Sequence, residues 1–134
     1  MFLNQLKDNQ KELFLSLCAH AVMADGVFVF EEMESIALYC HEMMIPNHMP
    51  DTELPLDDIL DELSRITSRQ EKNIIVTELL MLFKSDNDYA EGEKAMMNKV
   101  LAKFEFETEK YNALEQLVDE YIAASQALEV AVNN

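Results

Sequence analysis

The strongest constraint on the fold is that the chain nearly repeats its turn chemistry 61 residues apart. One copy reads Asp25-Gly26-Val27-Phe28-Val29-Phe30-Glu31-Glu32, the other Asp86-Asn87-Asp88-Tyr89-Ala90-Glu91-Gly92-Glu93. Gly26 and Asn87 are the residue types that enter left-handed backbone at least cost. Phe28 and Tyr89 place an aromatic at the fourth position of each copy. Glu32 and Glu93 place a carboxylate in the first turn of the helix that follows. Upstream, Leu13 corresponds to Ile74 and Phe14 to Ile75. Each corner therefore joins two helices, and two such units hide their apolar flanks by packing together. The expectation is an all-α, compact bundle of about six to seven helices. It carries an internal helix-turn-helix repeat, pseudo-two-fold in arrangement, within one domain spanning residues 1–134.

Apolar periodicity places the helices. Leu3, Leu6, Leu13, Leu17, Ala21 and Ala24 predict one long amphipathic helix, interrupted at Gln10 and ending at Asp25-Gly26. Met33, Ile36, Ala37, Cys40 and Met44 line a second helix over about 30–44, stopped by Pro46. All three prolines fall in 46–55, the one clear loop, and Pro55 opens a short helix with Leu56, Ile59, Leu60 and Leu63 inward. Thr67 with Gln70 and Ser68 with Glu71 offer two overlapping capping boxes for the next helix. Its Ile74, Ile75, Val76, Leu79, Leu80, Leu82 and Phe83 cover most of its circumference, so it should be buried. A helix from about Ala90 to Phe104 follows. Thr108 is expected to cap the last helix, with Leu114, Leu117, Val118, Tyr121 and Ile122 inward. The tail, Ala123 to Asn134, either extends that helix or frays. Two glycines are too few for the turns of a β-sandwich, and no stretch alternates long enough to make a strand.

Twenty-six acidic residues against ten basic ones give a formal charge of −16. Such a surface repels phosphate, which excludes unaided binding to nucleic acid or an anionic membrane. It favours cations, a protein partner with a basic surface, or self-association. The N-terminus has no basic n-region followed by an apolar core, and the longest apolar run is far short of the ~20 residues of a membrane helix. Cys18 and Cys40 sit inside apolar helical patterns and read as buried, inert thiols, which fits a reducing, cytoplasmic setting.

Catalytic patterns are missing. No serine lies in a glycine-flanked elbow, and two glycines cannot build a phosphate loop. Cys18 and His20 lie about 200° apart around a helix, and the second histidine of a zincin string is replaced by Ile45. The expectation is that the chain is not an enzyme. Met43, Met44 and Met49, with Ile45 and Leu54, form an apolar group around the proline loop that suits a docking peptide or a second copy.

The pattern Ala24-Asp25-Gly26 followed by Glu32, at the end of an apolar helix, resembles the TerB-like family. That family comprises tellurite-resistance-associated proteins and a helical domain that precedes the J-domain of some membrane co-chaperones. The resemblance covers about residues 3–122 and includes the second corner, where Asn87 replaces glycine and Gly92 enters the next helix. It implies a compact helical bundle without enzymatic activity, acting as a binding or adaptor module in a stress-response setting. It also implies divalent-cation binding at acidic turns, through Asp25, Glu32, Asp86 and Glu93.

The residues themselves allow two readings of those turns. Hard cations such as Ca²⁺ or Mg²⁺ take carboxylate and carbonyl oxygens, which both corners supply, and Asp88 and Glu91 add more. The resulting site, with Asp25, Glu32, Asp86, Asp88 and Glu93 as ligands, would be weak. Neither corner is an EF-hand, because the twelfth position from Asp86 is Met97 and from Asp25 is Ile36. In the other reading the same carboxylates only cap helices and turns, and the chain is a metal-independent acidic module that docks a basic partner.

Overall fold

The computed structural model describes residues 1–23, 30–85 and 89–134, with backbone alone for residues 30–33. Every regular element among them is helical. A 3-10 turn, Leu3–Gln5, precedes α1 (Asp8–Met23), α2 (Phe30–Glu42), α3 (Leu56–Ile66), α4 (Arg69–Lys84), α5 (Glu91–Lys103) and α6 (Thr108–Asn133). The all-α class and the number of helices agree with the sequence reading. None of the described helices is long and apolar enough to cross a membrane.

Local chemistry sets the helix ends. Of the two boxes available at α4, Ser68 with Glu71 is the one that forms. Glu71 N donates to Ser68 Oγ at 3.1 Å, and Ser68 N donates to Glu71 Oε1 at 2.8 Å. Thr67 closes α3 instead, its hydroxyl donating to the Leu63 carbonyl. The long helix expected from Leu3 is broken. Leu6 is extended (ψ 152°), and α1 starts only at Asp8. The cause is Gln10, whose Oε1 accepts from Lys7 N at 2.8 Å and caps the helix that the sequence suggested it interrupts. Thr108 is the first residue of α6 rather than its cap; Glu107 holds that place without a side-chain bond.

The duplication extends well beyond the corners that reveal it. α1 and α4 each have 16 residues, α2 and α5 each have 13, and every end of the first pair recurs 61 positions later. Where α2 and α5 stop, the repeat extends to individual hydrogen bonds. Ile45 N donates to Cys40 O and Phe106 N to Leu101 O, both at 3.0 Å. Met44 N reaches His41 O at 3.1 Å, and Glu105 N reaches Ala102 O at 3.2 Å. These paired bonds need a left-handed residue after the helix, and Met44 (φ 60°) and Glu105 (φ 49°) take that conformation. The corners themselves, Ala24, Asp25, Gly26 and Phe28 in one and Asp86, Asn87 and Asp88 in the other, lie outside the described residues.

Neither Met44 nor Glu105 is glycine, so each carries the steric cost of left-handed backbone. Met44 is 87% exposed and loses no packing on truncation. Met44→Gly and Glu105→Gly are each expected to stabilise the protein by about 0.5–1 kcal/mol, after glycine's own entropy cost is subtracted. A higher urea midpoint with an unchanged slope would register this. An unmoved midpoint for Met44→Gly would mean the local backbone is not left-handed in solution.

Packing follows the same two-fold plan. α1 lies against α3, α4 lies against α6, and α1 meets α4 between them. Phe14, Leu15, Leu17, Ile59, Leu60, Leu63, Ile75, Leu79, Leu80 and Phe83 fill the centre. Gln10 is fully buried there and donates through Nε2 to Ile66 O at 3.0 Å. Its counterpart in the second half, Glu71, lies near enough for the Gln10 amide to help lower its carboxyl. Cys18 and Cys40 are buried free thiols, and burial pushes the Cys18 thiol up. Met44, expected inward, points to solvent, and Met43 takes the core position. The proline loop is tied down by His20 Nε2 on Leu54 O (2.7 Å) and His48 Nε2 on Glu12 Oε2 (2.8 Å), leaving Met49 exposed.

Candidate binding groove

Of the five residues expected to hold a cation, Asp25, Asp86 and Asp88 lie outside the described residues. Glu32 is in the first turn of α2, its side chain likewise outside. Glu93 is described. It is buried at 6% exposure in the first turn of α5, and its Oε1 accepts from Ala90 N at 2.9 Å. That bond is the capping role the sequence offered as one of two readings. Glu91 is exposed and pairs with Lys94 along α5. Among the described residues, no three His, Cys, Asp or Glu side chains converge as a metal site would require.

A large concave feature among the described residues lies elsewhere. α6 was expected to turn Leu114, Leu117, Val118, Tyr121 and Ile122 inward. Only Val118 is buried; Leu114 and Ile122 are half-buried, while Leu117 (59%) and Tyr121 (50%) are exposed. α6 packs on α4 through a single flank, and its next flank opens onto a groove of about 540 Å³. The floor and walls are apolar, from Phe2, Ile74, Met81, Leu114, Leu117 and Tyr121. Gln5, Gln70, Asn73 and Thr77 are its polar lining residues; Met1 also lines it, with its ammonium paired to Glu42 and Glu78, and no charged side chain does. In a chain with 27% charged residues, that neutrality is distinctive.

Two charged clusters tie together the elements that border the groove. On the α4 side, Glu42 and Glu78 grip the start of the chain. The Met1 ammonium lies 2.7 Å from both Glu42 oxygens and 3.0 Å from Glu78 Oε1. Phe2 N donates to Glu78 at 2.8 Å and Leu3 N to Glu42 at 2.7 Å. Burial alone would lower the ammonium's pKa, but the two carboxylates outweigh it and raise it. Phe2 is thereby fixed at the groove edge. On the α6 side, Lys84 Nζ bridges Asp119 (2.8 Å) and Glu115 (3.1 Å) and lies over the Tyr89 ring. Burial again opposes the charge, and the two acids raise the lysine's pKa regardless. Tyr89 in turn stacks on Phe83 at 5.9 Å.

Glu78 and Gln10 escaped the sequence reading. The signal was present, since Glu78 is a carboxylate inside the otherwise apolar run from Ile74 to Phe83. A charge is retained there only where donors wait for it. Comparison with family models, with curated proteins and with solved structures yields no match to this chain.

Proposed function

We propose that this chain is a non-enzymatic binding module of TerB-like type whose binding face is the groove between α4, α6 and the N-terminal turn. The neutrality of that groove carries the reading. An open, apolar trough edged by glutamine, asparagine and threonine suits the apolar face of a helix, with the edge amides satisfying its polar flank. The test is to add a neutral amphipathic Leu/Ala/Gln helical peptide to the isotopically labelled protein. Amide shifts confined to Ile74, Thr77, Leu114 and Leu117, and abolished by Leu117→Asp, are expected. Shifts scattered over the acidic surface, or none at millimolar peptide in the Leu128→Asp protein, whose distal α6 carries a charge, would overturn the assignment.

A second reading keeps the acidic corners as a weak Ca²⁺ or Mg²⁺ site through Asp25, Glu32, Asp86, Asp88 and Glu93. It is favoured by the exact recurrence of the helix ends that flank both corners. A cation bound only by the folded state stabilises by about 2.7 kcal/mol at a hundredfold excess over Kd. Millimolar Ca²⁺ or Mg²⁺ should then raise the melting temperature more than Na⁺ of matched ionic strength, and Asp25→Asn should remove the difference. Equal shifts in variant and parent would leave only charge screening.

A further inference from the structure

α6 runs on past the groove that it borders. Leu114, Leu117, Tyr121, Ala124, Leu128 and Ala131 recur at alternating spacings of three and four, a seam about 27 Å long on one side of the helix. Only the first half of this seam lines the groove. In the second half every residue from Ala123 onward is exposed, Leu128 at 66% and Val132 at 75%. That half is nearly uncharged: Glu129 is its one ionisable side chain, in a chain of net charge −16. A neutral apolar helix and a neutral apolar groove therefore lie end to end along a single element.

We propose that two copies of this chain pair antiparallel through α6, the distal half of each helix seated in the groove of the other. This rests on the groove being a helix-binding face and names its occupant. In the register that centres the seam, large residues meet small ones. Leu114 faces the partner's Ala131, Tyr121 faces the partner's Ala124, and Leu117 faces the partner's Leu128. Beside the seam, Glu120 faces the partner's Ser125 and Glu129 faces the partner's Gln116, so no two carboxylates are opposed. The arrangement closes on itself with two-fold symmetry. Each copy contributes both a groove and a helix, which doubles the contact over one-way docking and brings a short groove toward the ~800 Å² per partner of a standard interface. A basic helix is the poorer fit, because the carboxylates it would seek do not line the groove.

Sedimentation equilibrium of the full chain in physiological salt is expected to give twice the 15.4 kDa chain mass. Leu128→Asp should return it to the single-chain mass with its helical circular dichroism intact. Leu38→Asp, at an equally exposed site on α2, should leave the doubled mass unchanged. Oxidising a mixture of Leu117→Cys and Leu128→Cys proteins should give a cross-linked species that neither variant forms alone. A single-chain mass for the parent overturns the pairing, and so does cross-linking of either variant with itself. If the parent is single-chain while the neutral peptide still docks in the groove, only the pairing fails. If the cross-link forms but the Leu128→Asp protein binds no peptide, the groove assignment fails and the seating in the groove fails with it.

Discussion

Truncating Phe83 to alanine is expected to cost about 3–5 kcal/mol, among the largest single losses available to this chain. Phe83 is 1% exposed near the end of α4, where it packs in the core and stacks on Tyr89. Removing the ring opens a cavity and also takes away the surface on which Tyr89 stacks. Domains of this size are stable by about 5–15 kcal/mol, so the variant should be close to unfolding. Denaturant titration followed by far-ultraviolet circular dichroism would measure it. The adjacent Leu82, half-buried on the outer side of α4, provides the comparison, and Leu82→Ala should cost far less. A loss under about 1 kcal/mol at Phe83 would mean that α4 is not the central helix.

The second large effect is expected at Gln10. It is fully buried, with Oε1 accepting from Lys7 N and Nε2 donating to Ile66 O. Gln10→Met keeps the shape but strands both partners, at about 1–3 kcal/mol each, and a total near 3 kcal/mol is expected. Its counterpart Glu71 makes this centre pH-sensitive. Burial by itself would raise the Glu71 carboxyl, but bonds from Ser68 and Gln10 and the charge of Lys7 outweigh it and lower it. A carboxyl depressed in the folded state stabilises above its unfolded pKa of 4.5, and that contribution is lost as pH falls through the folded value. Melting temperature should therefore drop on acidification below about pH 4.5, and Glu71→Gln should flatten that limb. Because the Gln10 amide helps lower the Glu71 carboxyl, the effects of Gln10→Met and Glu71→Gln should not add. Additive effects would separate the halves that this contact joins.

The duplication also explains which parts of the architecture were legible. Helix starts at Ser68 and Ala90, the stop before Pro46 and the buried circumference of α4 all depend on residues within one or two turns of each other. A chain read locally reveals them. The corners at Asp25 and Asp86 revealed the repeat through turn chemistry, and the recurring ends of the flanking helices extend it. The acidic ligand set divides along the same line: Glu93, read as either a cation ligand or a cap, makes the cap's bond with Ala90 N, while Asp25, Asp86, Asp88 and the Glu32 side chain fall outside the described residues. Gln10 was misjudged because a polar residue on an apolar stripe looks like a break. Only the approach of Ile66 and Glu71 from distant positions makes it a centre.

By itself the sequence determined the helical class, the two-fold plan and most helix ends, because periodicity, capping and left-handed turns are short-range properties. Tertiary structure decided which side of each helix was covered. Leu117 and Tyr121 belong to the same apolar stripe as Val118, and nothing local distinguishes them. α4 is one helix wide, so it can cover only one flank of α6. The flank left over became the groove.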